Sequence, residues 1–180
     1  MGNCTSATLA GLAQDCSASM GGISKVLIAP WNMSGITVES GKTHIYSLTA
    51  STTDGPWKAY YFRKGNASAT STLTIDPQNG VNYVSTAVEL TFTKQETTKR
   101  IEVGALATGS LMLCYKDANG KWWFLGYNNP VEATEGSAQT GAAKTDGNFY
   151  RITLGADEET FPMELDDATS SSADLVQYPD

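Results

Sequence analysis

Histidine occurs once in the 180 residues, at His44, and cysteine three times, at Cys4, Cys16 and Cys114. A zinc site would lack ligands, because no CxxC pair exists and the one imidazole stands alone in "THIYS". Three cysteines are an odd number in a chain whose opening, MGNCTSATLAGLAQDC, has neither the basic start nor the apolar centre of a signal peptide. A disulfide framework is therefore not expected, and the producing cell's cytoplasm is the expected place of synthesis. No run approaches the roughly 18 apolar residues of a membrane-crossing helix, so no membrane partner is expected. GxSxG, HExxH, GxxxxGK[ST] and GxGxxG patterns are missing. Glu132 with Glu135 and Asp166 with Asp167 lie in loop or tail contexts and read as solvated surface. The chain thus reads as a non-enzyme with no catalytic residues, no metal and no cofactor. Lys and Arg are adjacent only at Arg63-Lys64 and Lys99-Arg100, too little clustering for specific nucleic-acid binding.

Charge is scarce as well as scattered: 17% of residues are charged, below the usual quarter, while 41% are hydrophobic and Gly, Ser, Thr and Ala abound. The net charge of −7 is concentrated at the end. From Asp157 onward there are eight acidic residues and neither Lys nor Arg. That run is either a solvated end or an interaction tail.

What is present is strand signal. "SKVLIAPWN" (24–32), "HIYSLT" (44–49), "WKAYYFRK" (57–64), "ATSTLTID" (69–76) and "NYVSTAVELTFTK" (82–94) are separated by turn-forming residues, and Asn79-Gly80 marks a hairpin. Val84, Thr86, Val88, Leu90 and Phe92 alternate with Ser85, Ala87, Glu89, Thr91 and Thr93, so one face is buried and the other mostly wet. Residues 95–110 are the one helix candidate, with Ile101, Ala105 and Leu106 at helical spacing and Gly109 placed as a left-handed terminator. Further strands are expected at 131–136, 149–156 and 160–165, with a flexible stretch at 137–148. The sum is a mainly β protein, an antiparallel β-sandwich or barrel with one flanking α-helix. Residues 1–22 read as an N-terminal arm, 23–165 as the β-sandwich domain and 166–180 as an acidic C-terminal arm.

"LMLCYKDANGKWWFLGYN" (111–128) is the most informative stretch. Asp117-Ala118-Asn119-Gly120 suits a type I turn followed by a left-handed glycine, which pairs Leu113 with Leu125, Cys114 with Phe124, Tyr115 with Trp123 and Lys116 with Trp122. A two-residue Asn-Gly loop would slip each pair by one. On either register both strands are apolar on both faces, whereas an antiparallel sheet normally keeps one face wet. Core on one side and the helix on the other is the expected cover for the middle of the strands, with Cys114 as a small buried apolar residue and Trp123 buried. The aromatic ends remain as candidates for contact with another chain.

"RIEVGALATGSLMLCYKDANGKWWFLGYNNPVEATEGSAQTGAAKTDGNFYRITLGADEETFPMEL", together with the opening strand "GGISKVLIAPWN", resembles tail-tube and tail-ring proteins of bacteriophages of gut bacteria, including the crAss-like group. The resemblance implies a tail-tube-like fold in a virion structural protein, made in the host cytoplasm and incorporated in the tail. It implies homo-oligomeric rings of six or more copies, stacked on other tail or portal proteins, around a channel that DNA transits without specific binding. The termini would then be arms reaching neighbours, and Trp31, Trp57, Tyr61, Trp122, Trp123, Tyr127, Leu175 and Tyr178 the subunit-interface candidates. The rival reading is a carbohydrate-binding β-sandwich module, suggested by the aromatic clusters Trp57, Tyr60, Tyr61, Phe62 and Trp122, Trp123, Phe124.

Overall fold

A computed structural model describes residues 11–12, 18–32, 36–38, 44–48 and 57–165. Eleven strands and one helix follow in chain order: β1 (Ile23–Pro30), β2 (Ile36–Val38), β3 (His44–Leu48), β4 (Lys58–Tyr61), β5 (Ala67–Asp76), β6 (Val81–Thr93), α1 (Thr97–Thr108), β7 (Leu111–Asp117), β8 (Trp122–Leu125), β9 (Glu132–Gln139), β10 (Phe149–Glu158) and β11 (Met163–Leu165). They form a seven-stranded sheet, ordered β2-β3-β11-β8-β7-β1-β4, and a four-stranded sheet, ordered β5-β6-β10-β9. The mainly β expectation with one helix holds. Pairing is antiparallel throughout except between β11 and β3, which run parallel.

The first core lies between the sheets. Val26 and Ile28 of β1, Leu111 and Leu113 of β7 and Leu125 of β8 meet Val88 and Leu90 of β6 and Ile152 and Leu154 of β10. The alternation read in residues 84–92 is realised, with Val84, Thr86, Val88 and Leu90 buried. Thr86 is tolerated there because its hydroxyl shares a 2.8 Å hydrogen bond with that of Ser71.

The second core lies on the other face of the seven-stranded sheet. Leu27 and Ala29, Met112 and Cys114, Phe124, Met163 and Leu165, Ile45 and Leu48 form it with Trp57, and Ile36, Val38 and Ala59 pack against it. All seven strands contribute. Among the described residues, no side chain of α1 or of the four-stranded sheet enters, which is the behaviour of a coiled, barrel-like sheet sheltering its own inner face. The expected cover by the helix is therefore corrected. α1 instead lies against β9 and β10, and its Leu106 and Val103 face the inter-sheet core.

The hairpin register is the one the type I turn demanded: Leu113↔Leu125, Cys114↔Phe124, Tyr115↔Trp123 and Lys116↔Trp122. Asp117 Oδ1 accepts from the backbone N–H of Asn119 at 2.8 Å and of Lys121 at 2.9 Å, and Gly120 has φ +87°. Because Leu111–Cys114, Phe124 and Leu125 are all buried within one chain, their doubly apolar character does not itself require a neighbour. Trp123, expected buried, is half-buried, with its indole N–H donated to Asp117 Oδ2 at 3.1 Å.

Three further expectations change. Ile101 is 60% exposed, because the helix turns Val103 and Leu106 inward. Gly109 is extended (φ −91°, ψ 147°), so the chain leaves the helix straight into β7 without a left-handed turn. β9 runs on through residues 137–139, the first part of the stretch expected to be flexible, by pairing with β10. At the end of the expected N-terminal arm, Met20 N–H donates to Asn119 Oδ1 at 2.8 Å and Ala118 N–H to Gly22 C=O at 3.0 Å, which fastens residues 20–22 to the hairpin turn.

Candidate interaction surfaces

The four-stranded sheet has one dry face and one wet face. Its wet face is built from short side chains: Ser68, Thr70 and Thr72 of β5, Ser85, Ala87 and Thr91 of β6, and Thr153 and Gly155 of β10. The registers Ser68↔Glu89↔Thr153↔Glu135 and Thr70↔Ala87↔Gly155↔Glu132 place these residues in rows across the strands. Glu89, Glu132, Glu135 and Asp157 stand on this face against the single cation Arg151, which reaches Glu89 at 3.4 Å. The result is an acid-leaning surface of mostly short side chains, with the Phe149 ring at one end, 5.2 Å from the Arg151 guanidinium. Both sheet edges are single strands: β5, which carries no charge before Asp76, and β9, which carries Glu132 and Glu135. Neither has the Lys or Pro that commonly blunts an edge. The β5–β6 hairpin also overhangs β10, whose pairing with β6 stops at Val84, and it exposes Leu73 (44%) and Ile75 (60%) there.

The aromatic candidates named from the sequence do not gather into one surface. Trp57 is 1% exposed and belongs to the second core, so it is a packing residue and not a contact residue. Trp31 packs against the same core and donates its indole N–H to Gly126 C=O at 3.0 Å. Tyr127 is partly buried beside it. Of the rival reading's clusters, Phe124 is core, while Tyr60 and Phe62 pack on Phe92 with ring centroids 5.9 and 5.4 Å apart. Tyr61, 58% exposed, and the half-buried Trp122 and Trp123 are what remains near the surface. Leu175 and Tyr178 lie outside the described residues.

Tyr61 and Trp122 instead frame a feature the sequence reading missed. Lys25 of β1 pairs with Tyr61 of β4 on one side and with Lys116 of β7 on the other, and Lys116 pairs with Trp122 of β8. Tyr61, Lys25, Lys116 and Trp122 thus form one row across four adjacent strands, on the side of the second core. Lys25 Nζ lies 5.2 Å from the Tyr61 ring centroid and 5.9 Å from that of Trp122, and Lys116 Nζ lies 5.9 Å from Trp122. Lys25 is only 3% exposed. A lysine inside the apolar run "ISKVLIAP" was the available signal.

Four titratable groups away from the row, Glu158, Tyr60, Tyr115 and Cys114, are shifted mainly by burial. Glu158, at the inward-facing end of β10, accepts the backbone N–H groups of Gly126 at 2.9 Å and Tyr127 at 2.5 Å through Oε1. Burial raises its pKa above the ordinary glutamate value, against the lowering effect of those donors. Burial likewise raises Tyr60, whose hydroxyl donates to Glu102 at 2.5 Å, and pushes Tyr115 up to about 12, the charge of Asp117 adding to the effect. The Cys114 thiol, fully buried, is driven well above its usual value, which makes it inert packing. Among the described residues no group of three His, Cys, Asp or Glu could hold a metal ion, and no helix is long and apolar enough to cross a membrane. Comparison with protein-family models, with curated proteins and with solved structures finds no match to this chain.

Proposed function

We propose that this chain is a virion structural subunit that assembles with copies of itself into closed rings of six or more, as a tail tube or a tail or neck ring around the genome-ejection channel. The observation that carries the reading is the four-stranded sheet whose edge strands, β5 and β9, pair with no further strand among the described residues, together with its acid-leaning outer face. Pairing β5 of one copy with β9 of the next is a heterologous contact, and such contacts generate rings when the rotation closes. A ring built this way joins the wet faces into one continuous wall. Four carboxylates against one guanidinium on each segment repel a phosphate backbone, so DNA passes without adhering. Other tail or portal proteins stack on the ring, and the overhanging hairpin with Leu73 and Ile75 offers an apolar contact for them. The subunit is made in the bacterial host cytoplasm and ends in the virion tail. Catalysis and cofactors have no part in this role.

The test is native mass spectrometry with negative-stain microscopy of the full-length protein. Closed rings of six or more copies are expected. The double substitution Thr70→Glu and Thr72→Glu sets new carboxylates beside the neighbour's Glu132 and Glu135 and is expected to yield monomers with an unchanged circular dichroism spectrum. A wild-type protein that stays monomeric at its solubility limit refutes the reading, and glycan binding by that monomer would favour the carbohydrate-binding module.

A further inference from the structure

We propose that Asn79, at the tip of the β5–β6 hairpin, is a site of spontaneous deamidation in the folded protein, and that the fold protects the chain's other Asn-Gly pair, Asn119-Gly120, from the same reaction. At these two places glycine follows asparagine in the sequence. The reaction needs water and no catalyst. The backbone nitrogen of the glycine bonds to the asparagine Cγ and gives up its proton, the Cγ–Nδ2 bond breaks, and Nδ2 leaves with that proton as ammonia. Water then opens the cyclic imide: attack at Cγ gives aspartate, and attack at the main-chain carbonyl gives isoaspartate, with the chain rerouted through the side chain. Glycine permits the first step because it has no Cβ to crowd the attacking nitrogen. What the fold controls is whether the side-chain amide can swing onto that nitrogen.

The two pairs differ in what holds them. Asn119 is clamped at both ends of its amide: Oδ1 accepts the Met20 N–H at 2.8 Å, and Nδ2 donates to the Met20 C=O at 3.1 Å. The Gly120 N–H, which would have to attack, donates to the Asp117 C=O at 3.1 Å. The clamping segment is itself fastened, because the Ala118 N–H donates to the Gly22 C=O at 3.0 Å. Breaking three such hydrogen bonds before reaction slows it at least tenfold. Asn79 is exposed, and among the described residues its side chain is held at one end, by the bond from Nδ2 to Asp76 Oδ2 at 2.6 Å. That bond lies within a solvent-facing turn and exchanges readily with water, and no distant segment crosses the turn to secure it. Either product sets a new carboxylate against Asp76 in place of the donating Nδ2–H, so attraction across the turn becomes repulsion. The hairpin tip beside the exposed Ile75 thus gains a negative charge and loosens as the molecule ages. None of this depends on ring assembly.

The experiment is ageing of the native full-length protein at neutral pH in oxygen-18 water, beside a sample unfolded in urea, with peptide mass spectrometry of both. The heavy oxygen enters the new carboxyl group and separates conversion during ageing from conversion during digestion. In urea the two asparagines are expected to convert at similar rates, because glycine follows each and no fold holds either. In the native sample Asn79 is expected to convert at least tenfold faster than Asn119, giving aspartate and isoaspartate peptides that chromatography separates. Asn79→Gln is expected to remove the signal from the hairpin tip and leave that of Asn119 unchanged. A native protein in which Asn119 keeps pace with Asn79 overturns the proposal, and so does a native Asn79 that stays intact while its unfolded counterpart converts. The comparison is internal to one chain, so its failure is separate from failure of the ring reading.

Discussion

Replacing Glu158 by Ala should unfold the protein more easily than replacing it by Gln, for a reason found in the turn after β8. The carboxylate is 5% exposed and accepts two backbone N–H groups, from Gly126 and Tyr127. Alanine leaves both donors without this acceptor where water is largely excluded. Each hydrogen bond to a charged group is worth about 1.5–3 kcal/mol, and removal of the buried carboxylate returns part of its desolvation cost, so the net loss is roughly 2–4 kcal/mol. Glutamine keeps an oxygen at the same reach and should lose about 1 kcal/mol or less. In a chain of 180 residues, 1 kcal/mol moves Tm by about 2–4 °C, so Glu158→Ala should melt roughly 5–15 °C below wild type. Urea unfolding followed by tryptophan fluorescence gives the same comparison isothermally. The pH dependence has a definite sign. Burial raises the folded pKa above that of the unfolded chain, so the folded state binds its proton first on acidification. Glu158 therefore contributes stability that is fully present below the unfolded pKa and is lost as pH rises through the raised folded pKa. Wild type should gain on Glu158→Gln, which does not titrate, between pH 7 and pH 4. An alanine variant with wild-type stability, or a wild type that loses ground to the glutamine variant on acidification, would refute this account of the turn.

Two paired comparisons test the packing. Trp57→Ala should cost about 3–5 kcal/mol by opening a cavity in the second core, whereas Tyr61→Ala, at an exposed edge position nearby in sequence, should cost under about 1 kcal/mol; equal denaturation midpoints for the two variants would contradict their placement. Gly126 has φ +108°, and a Cβ there would sit 3.1 Å from Met112 Cα, so Gly126→Ala should destabilise by roughly 2 kcal/mol or more. Gly104, inside α1 with open space around it, should gain about 0.5–1 kcal/mol as Ala, and a loss of Tm at that position would show that the helix is not as described.

How far the residues announced this architecture depended on whether the deciding interaction was local. The hairpin register was legible because Asp117 and Gly120 settle it within a few residues: one caps two backbone N–H groups and the other takes the positive φ. The buried stripe of β6 was legible because a period of two needs no knowledge of the partner strand. The cover of the hairpin's second face was not, because it rests on pairings such as that of β11 with β3, joining "MEL" to "HIYSL" across most of the chain, and neither short segment names its partner. β2, three residues long, left no periodicity to detect. The helix failed differently: Ile101, Ala105 and Leu106 sit at helical spacing, but Val103 and Leu106 define the face that β9 and β10 accept, so tertiary packing chose between two weak stripes. The aromatic candidates divide in the same way. Size and hydrophobicity marked Trp57 and Trp122 alike, yet one fills a core and the other lies beneath two ammonium groups, because only the strand order β4-β1-β7-β8 decides what each ring meets. An apolar surplus in a strand is thus ambiguous between a second core and a partner until the strand order is known, because that order alone decides which faces one chain can cover by itself.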